Sequence, residues 1–265
     1  YSMKKQIIDI GLNLMNKQFD KDREEVVQSA AQENITPLII TGVHLNDSKK
    51  AADYAEKYPG KLYCTAGVHP HDAKTCNQNT ISELRKLAQR PQVCAIGECG
   101  LDYDRDFSPR ELQRKWFEEQ ILLAEELNMP LFLHERAAFT DFKKIMMSHK
   151  EICNRSVVHC FTGNGTELQQ YLRMGFFIGI TGWICDERRG QHLKSLIKMI
   201  PLDKLMIETD APFLIPRDLK TPFHSRRNEP IYLRHILKTI AKCLNQEADE
   251  LAEIVTNNAK TFFNI

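Results

Sequence analysis

The chain alternates short, near-continuous apolar runs with longer amphipathic stretches. Eight such runs stand out, at Ile7–Ile10, Leu38–Thr41, Leu62–Gly67, Val93–Gly97, Leu131–His134, Val157–Cys160, Phe176–Ile180 and Leu205–Glu208. Runs that are apolar throughout, rather than at every second position, are expected of parallel strands covered on both faces. Helix signals fall between them. Asn46-Asp47-Ser48 reads as the cap of a helix running towards Tyr58, which Pro59-Gly60 ends. Thr80 and Glu83 have capping-box spacing. Ser108, Pro109 and Glu111 supply a cap, a first-turn proline and a box partner for a helix that continues to about Asn128 and stops before Pro130. Asp203-Lys204 leads into the eighth run, and a last helix is expected from about Asp249 to Phe263. Repeated strand–helix alternation predicts a right-handed parallel arrangement. Eight strands close naturally into a single (β/α)8 TIM barrel of metal-dependent hydrolase type, with an open doubly wound sheet as the alternative. No Pro/Gly/Ser linker, internal repeat or low-complexity segment interrupts the pattern. Residues 3–265 are therefore read as one domain, and Tyr1-Ser2, ahead of Met3, as an artificial remnant.

Composition narrows the class only slightly. The chain has 265 residues, and a closed α/β barrel takes about 250. A hydrophobic content of 42% suffices for a large core. No apolar run reaches the roughly 20 residues of a membrane span, so no membrane association is expected. The eight cysteines form no CxxC pair, and several, such as Cys94 and Cys160, lie in apolar runs. They are read as free thiols in a reducing cytoplasm rather than as a disulfide framework or a structural zinc site. The formal net charge of +1 gives no global pull towards nucleic acid, so any anion-binding charge must be local.

The candidate chemistry is positional. In barrels of this class functional residues gather where strands lead into helices. Those junctions here carry Asp9, Gly11 and Asn13, then His69-Pro70-His71, Glu98, His134, His159 and Asp210. Any one of them has an ordinary structural reading, as a hydrogen-bonded histidine, a turn glutamate or a capping aspartate. As a set they differ. Unpaired charges at the ends of buried strands cost several kcal/mol each. A divalent cation shared by Glu98, His134, His159 and Asp210 would offset that cost for all four. His69-Pro70-His71 imitates a paired-ligand motif, but the proline stiffens it. His69 is taken as functional and His71 as structural or part of the rim. Arg188-Arg189 and Arg226-Arg227 follow the seventh and eighth runs, where guanidinium forks suit phosphate oxygens. Arg188 and Arg227 are the candidate substrate contacts. Tyr103, Phe161, Trp183 and Phe213 lie near strand ends and could stack on bases or simply pack in the core or rim.

The segments GVHPHD, AIGECGLDYDRDFS, MPLFLHER, VVHCFTG, GITGWICDERRG, MIETDAPFL and SRRNEP resemble the TatD family of metal-dependent nucleases, over nearly the whole chain from Met3. The opening DIGLNL is similar to the bacterial branch of that family. The resemblance implies a TIM barrel and a Mg²⁺-dependent exonuclease acting on single-stranded DNA and RNA from the 3′ end. It implies that Glu98, His134 and His159 carry the metal, that Asp210 is a further ligand or the catalytic base, and that His69 contacts the scissile phosphate. One departure stands out. Where many relatives carry an Asp-x-His-x-His segment, this chain has Asp9, Gly11 and Asn13, which lack both imidazoles. A tightly held two-metal centre is therefore not expected. Glu135, directly after His134, adds an acid that could draw in a second cation. The mixed nitrogen and oxygen donors leave the metal open, with Mg²⁺ foremost and Mn²⁺ or Zn²⁺ as alternatives. The expected partner is a single-stranded nucleic acid, and the expected state is a cytoplasmic monomer. The competing functional readings are hydrolysis of a small-molecule amide or ester on the same barrel, and a binding protein without activity.

Overall fold

A computed structural model describes residues 4–220 and 226–265. Tyr1-Ser2 and Ser225 of the SRRNEP segment lie outside the described residues. The eight strands are β1 (Ile7–Leu12), β2 (Ile35–Ile40), β3 (Leu62–Ala66), β4 (Val93–Asp102), β5 (Leu131–Arg136), β6 (Ser156–Val158), β7 (Phe177–Ile180) and β8 (Leu205–Ile207). The α-helices are α1 (Arg23–Gln32), α2 (Leu45–Ala55), α3 (Thr80–Ala88), α4 (Arg110–Leu127), α5 (Phe139–Met147), α6 (Gly165–Arg173), α7 (Gln191–Leu196), α8 (Leu233–Leu244) and α9 (Ala248–Phe263). The strands form one sheet in sequential order from β1 to β8. This is the (β/α)8 class that the alternation predicts, not the doubly wound one, whose strand order reverses.

By its internal packing the chain divides into two compact units. One comprises residues 1–40, 160–169 and 178–265, the other residues 41–159 and 170–177. In the first unit β1 pairs with β2 and β7 with β8, all parallel. Past the strand ends, Asp210 N–H donates to the Gly11 carbonyl at 2.9 Å and Asn13 N–H to that of Ala211 at 2.7 Å, which joins the exits of β8 and β1. Helix α9 covers these strands with a stripe of Leu251, Ala252, Val255, Ala259, Phe262 and Phe263 at helical spacing. Each large side chain so buried contributes about 1.5–3 kcal/mol before the entropy of ordering it is counted.

In the second unit β3, β4, β5 and β6 pair in parallel succession. Every residue of β4 is buried. The expectation that this run stops at Gly97 is corrected, since β4 continues to Asp102 in register with β5, Gly100 opposite His134. Two glycines permit this. Gly97 and Gly100 have φ of 141° and 148°, and a Cβ on them would stand 2.2 Å from the Phe132 carbonyl oxygen and 1.8 Å from that of His134. Glu98 and His134 therefore lie within their strands rather than after them, whereas β6 ends at Val158 and leaves His159 just beyond it.

Three expected caps are corrected as well. The α2 cap is His44, whose Nδ1 accepts from Asp47 N–H at 3.1 Å. Thr80 is already helical and its hydroxyl accepts from Asn77 N–H, while Glu83 pairs with Lys86 instead of closing a box. Ser108 does not cap α4; its hydroxyl accepts from Lys74 N–H and donates to the His71 carbonyl, tying the segment after β3 to the segment after β4. All eight cysteines are free thiols. Among the described residues no helix is long and apolar enough to cross a membrane.

Candidate metal centre and active site

The second unit brings His69, Glu98, His134 and His159 together. Glu98 Oε1 lies 3.5 Å from His69 Nε2, 3.1 Å from His134 Nδ1 and 2.5 Å from His159 Nε2. Three elements far apart in sequence supply these rings, and the close packing of β4 on β5 sets the Glu98–His134 distance. The His159 ring stacks on Phe132, centroids 4.8 Å apart, which fixes its plane. Burial alone would raise the Glu98 carboxyl, but the neighbouring His159 and His69 rings and hydrogen bonds from His134 and His159 hold it well below the usual range. The carboxylate is therefore anionic.

His69 differs from the other two rings. Its Nδ1 accepts from His71 N–H at 3.1 Å, which assigns the ring proton to Nε2. Burial drives its pKa down to about 3, so the ring is neutral near pH 7. In this tautomer the imidazole is a hydrogen-bond donor through Nε2, although His69, Glu98 and His134 also place one donor atom each within 4.8 Å of one another, as a cation would require.

A residue not singled out from the sequence completes this cluster. Asp102, at the end of β4, is 1% exposed. Its Oδ2 lies 3.0 Å from both His71 Nε2 and His134 Nε2, and its Oδ1 accepts from the N–H groups of Asp104 and Arg105. Burial opposes its charge, but the two imidazoles and these N–H bonds hold its carboxyl far below the ordinary value. His134 thus stands between two carboxylates. Burial lowers its pKa, and bonds to Asp102 and Glu98 outweigh that and raise it. The His71 ring is held by Asp102 at 3.0 Å. It also meets Phe107, centroids 4.8 Å apart, and Phe107 is 53% exposed.

Helix α4 carries the supports. Gln113 Oε1 accepts from Asp102 N–H at 2.9 Å, and its Nε2 donates to the carbonyls of Asp102 and Ser108. Gln120 Oε1 accepts from Val68 N–H at 2.8 Å, and its Nε2 returns a bond to the Val68 carbonyl. Both glutamines are buried. Their spacing on one helix face was the available signal, but an amide on an amphipathic helix reads as a solvent-facing residue.

The first unit holds the remaining candidates. Asp210 follows β8 at a left-handed φ of 57°, and Asn13 Nδ2 donates to its Oδ1 at 3.1 Å. Asn13 thus holds the Asp210 carboxylate in place. Asp9 is fully buried. It accepts from Thr209 N–H and Gly11 N–H, and its Oδ2 lies 2.5 Å from the Thr209 hydroxyl. Burial nonetheless pushes its carboxyl up to about 8. Arg188 is exposed on a loop whose N–H groups, with that of Arg189, donate to Asp186. Arg227 is engaged with Asp22 and Glu229, both at 2.6 Å, and lies over the Phe19 ring. Its guanidinium is committed to the fold.

The expected stacking residues separate in the same way. Phe161 is buried and packs in the core. Tyr103 bonds to Asp141 at 2.7 Å under the Arg110 guanidinium. Trp183 carries the Arg189 guanidinium over its ring, and Phe213 is 47% exposed. Glu135 accepts from Tyr171 Oη at 3.0 Å.

In the Glu98 cluster a buried anionic carboxylate meets the ring nitrogens of His134 and His159. This is the donor chemistry of a divalent cation, and the residues fit one.

The family described as TatD related DNase matches residues 8–264. The 3′-5′ ssDNA/RNA exonuclease TatD of Pantoea vagans is 46% identical over 98% of this chain and 100% of its own length. The protein of the same description from Dickeya dadantii is 47% identical over 97% of each chain. Among solved structures, a TatD homologue from Escherichia coli superposes with a TM-score of 0.89 at 27% identity over 98% of both chains. A hydrolase TatD family protein from Entamoeba histolytica does so with a TM-score of 0.88 at 30% identity over 99% of both. The chain belongs to the TatD family of DNases.

Proposed function

We propose that this chain is a metal-dependent 3′-5′ exonuclease that hydrolyses phosphodiester bonds of single-stranded DNA and RNA. The observation that carries the reading is the meeting of Glu98, His134 and His159 in a chain with full-length relatives of that description. Glu98, His134 and His159 would hold the cation, with Mg²⁺ as the first choice, and Asp210 would add a further carboxylate. A cation held there supplies Lewis-acid charge to the phosphate and makes water more acidic. The remaining steps fall to the chain's own residues. Asp210, held by Asn13, takes the proton of the attacking water. His69, neutral and protonated at Nε2, donates a hydrogen bond to a non-bridging phosphate oxygen, which becomes more valuable as charge builds there. Asp102 fixes the ring of His134 and acts through it. Arg188 is the arginine left to meet a phosphate from the rim. Arg227 would contribute only by giving up Asp22 or Glu229. The protein is proposed to work as a cytoplasmic monomer.

The test is a gel time course on single strands labelled at either end, in Mg²⁺, Mn²⁺ or chelator, beside Glu98→Ala. Stepwise shortening from the 3′ end, abolished by chelator and by the substitution, is the expected result. Turnover of small esters or amides without cleavage of any oligonucleotide would overturn the reading.

A further inference from the structure

The first unit contains a second group of ligand-type side chains that takes no part in the chemistry above. Cys185, Asp218 and His235 each offer one donor atom, and these atoms all lie within 4.8 Å of one another. Cys185 ends a short 3-10 turn at residues 182–185 that the Thr181 hydroxyl caps by accepting from Trp183 N–H. His235 stands in the first turn of α8, and Asp218 lies on the connection between β8 and α8. His235 Nε2 meets Asp218 Oδ1 at 2.7 Å. One turn along α8, Thr239 Oγ1 lies 3.5 Å from the Cys185 sulfur and donates to the His235 carbonyl.

An Asp–His pair alone would be an ordinary hydrogen-bonded contact, and a buried cysteine alone an ordinary packing residue. Their combination is neither. The sulfur is fully buried, yet it faces a hydroxyl, a carboxylate and an imidazole rather than alkyl groups alone. The other two side chains are about one-third exposed, which leaves a path from solvent. Thiolate, imidazole and carboxylate together are the donors of a borderline-soft cation, and three protein ligands leave a fourth position for water.

We propose that Cys185, Asp218 and His235 form a binding site for Zn²⁺ or a similarly thiophilic divalent cation, distinct from the Glu98 cluster, which has only nitrogen and oxygen donors. Binding displaces the thiol proton to solvent, so one proton leaves as the Cys185 sulfur–metal bond forms. Burial, more than any neighbour, pushes the free thiol up to about 12. The bound cation ties the segment that leaves β8, downstream of Asp210, to α8 and to the 182–185 turn. Asp186, next to Cys185, already approaches Arg217 to 4.0 Å, and the cation adds a second tie through the adjacent residue of each segment.

Cobalt spectroscopy on the full chain, stripped of metal, tests this. Co²⁺ bound by a thiolate gives an intense near-ultraviolet charge-transfer band that a site of nitrogen and oxygen donors does not give. The band is expected in the wild type and, undiminished, in Glu98→Ala, saturating at one equivalent per chain. It is expected to vanish in Cys185→Ser, and Zn²⁺ should abolish it by competition. Removing one of the other donors, in His235→Ala or Asp218→Asn, should weaken Co²⁺ binding about tenfold or more. Both positions are part-exposed, so these variants report even if Cys185→Ser fails to fold. Absence of the band in the wild type, its persistence in Cys185→Ser, or unchanged Co²⁺ affinity in both His235→Ala and Asp218→Asn would overturn the proposal.

Discussion

At the scale of single residues, Glu98 and Asp210 carry different work and should fail differently. Glu98→Ala is expected to remove cation uptake at its own cluster together with cleavage, whereas Asp210→Asn should cut kcat by about 10²–10⁴-fold with less effect on uptake, as loss of a general base does. Calorimetric titration with Mn²⁺ beside the gel assay separates the two. Asp186 offers a test by acidity. Burial opposes its charge, but the N–H groups of Arg188 and Arg189 and the Arg189 guanidinium outweigh it and lower the carboxyl from 3.8 to about 2. A carboxyl depressed on folding stabilises the native state above its unfolded pKa and loses that contribution as pH falls through the folded one. The stability advantage of wild type over Asp186→Asn should therefore be full near pH 5 (about one unit above the ordinary value) and shrink as pH is lowered. Urea unfolding of both proteins at several pH values measures it, and a pH-independent difference would contradict the assignment. Glu98, His134 and His159, which the structure brings together, stood out in the sequence because each lies at or beside the end of an apolar run, where a charge needs a reason. Asp102 was not, because the glycines that let β4 continue look like the end of a strand.

At the scale of elements, the meeting of β4 and β5 is the joint on which the site depends. A methyl group at Gly100 would collide with backbone, not with a side chain that can turn away, and the φ there is one that L-residues avoid. Gly100→Ala should cost about 1–3 kcal/mol or more, the usual range for overpacking, with backbone strain added. Denaturant unfolding would show it, and a neutral substitution would contradict the close approach. Helix α4 gives a second test. Gln120→Leu leaves the N–H and carbonyl of Val68 without their buried partners, at about 1–3 kcal/mol for each group left unsatisfied. Because Val68 precedes His69, the same substitution should raise KM or lower kcat even at temperatures where the protein stays folded. The positions of the strands were readable from their apolar runs, and α4 from Pro109 and Asn128. The caps were not, since Ser108 and Thr80 spend their hydroxyls on loop backbone instead of on a helix end.

At the scale of the whole molecule, the sequential order of eight strands was readable because each strand–helix unit repeats the same hydrophobic signature. The division of the packing into two compact units was not, because no change in composition accompanies it. A cation that binds only the folded chain stabilises it in proportion to the logarithm of its concentration above the dissociation constant. The melting temperature should therefore climb with added Mn²⁺ in the wild type and stay flat in a chain lacking both Glu98 and Cys185. A rise in that double variant would place the cation elsewhere.

The buried amides of Gln113 and Gln120 carry no charge. Ionic strength screens the attraction between an exposed guanidinium and a polyanion, but it has little purchase on neutral donors and acceptors sealed from water. Brine should accordingly loosen the enzyme's hold on its strand long before it disturbs the frame around His69 and Asp102, so activity lost in concentrated salt should return in full on dilution.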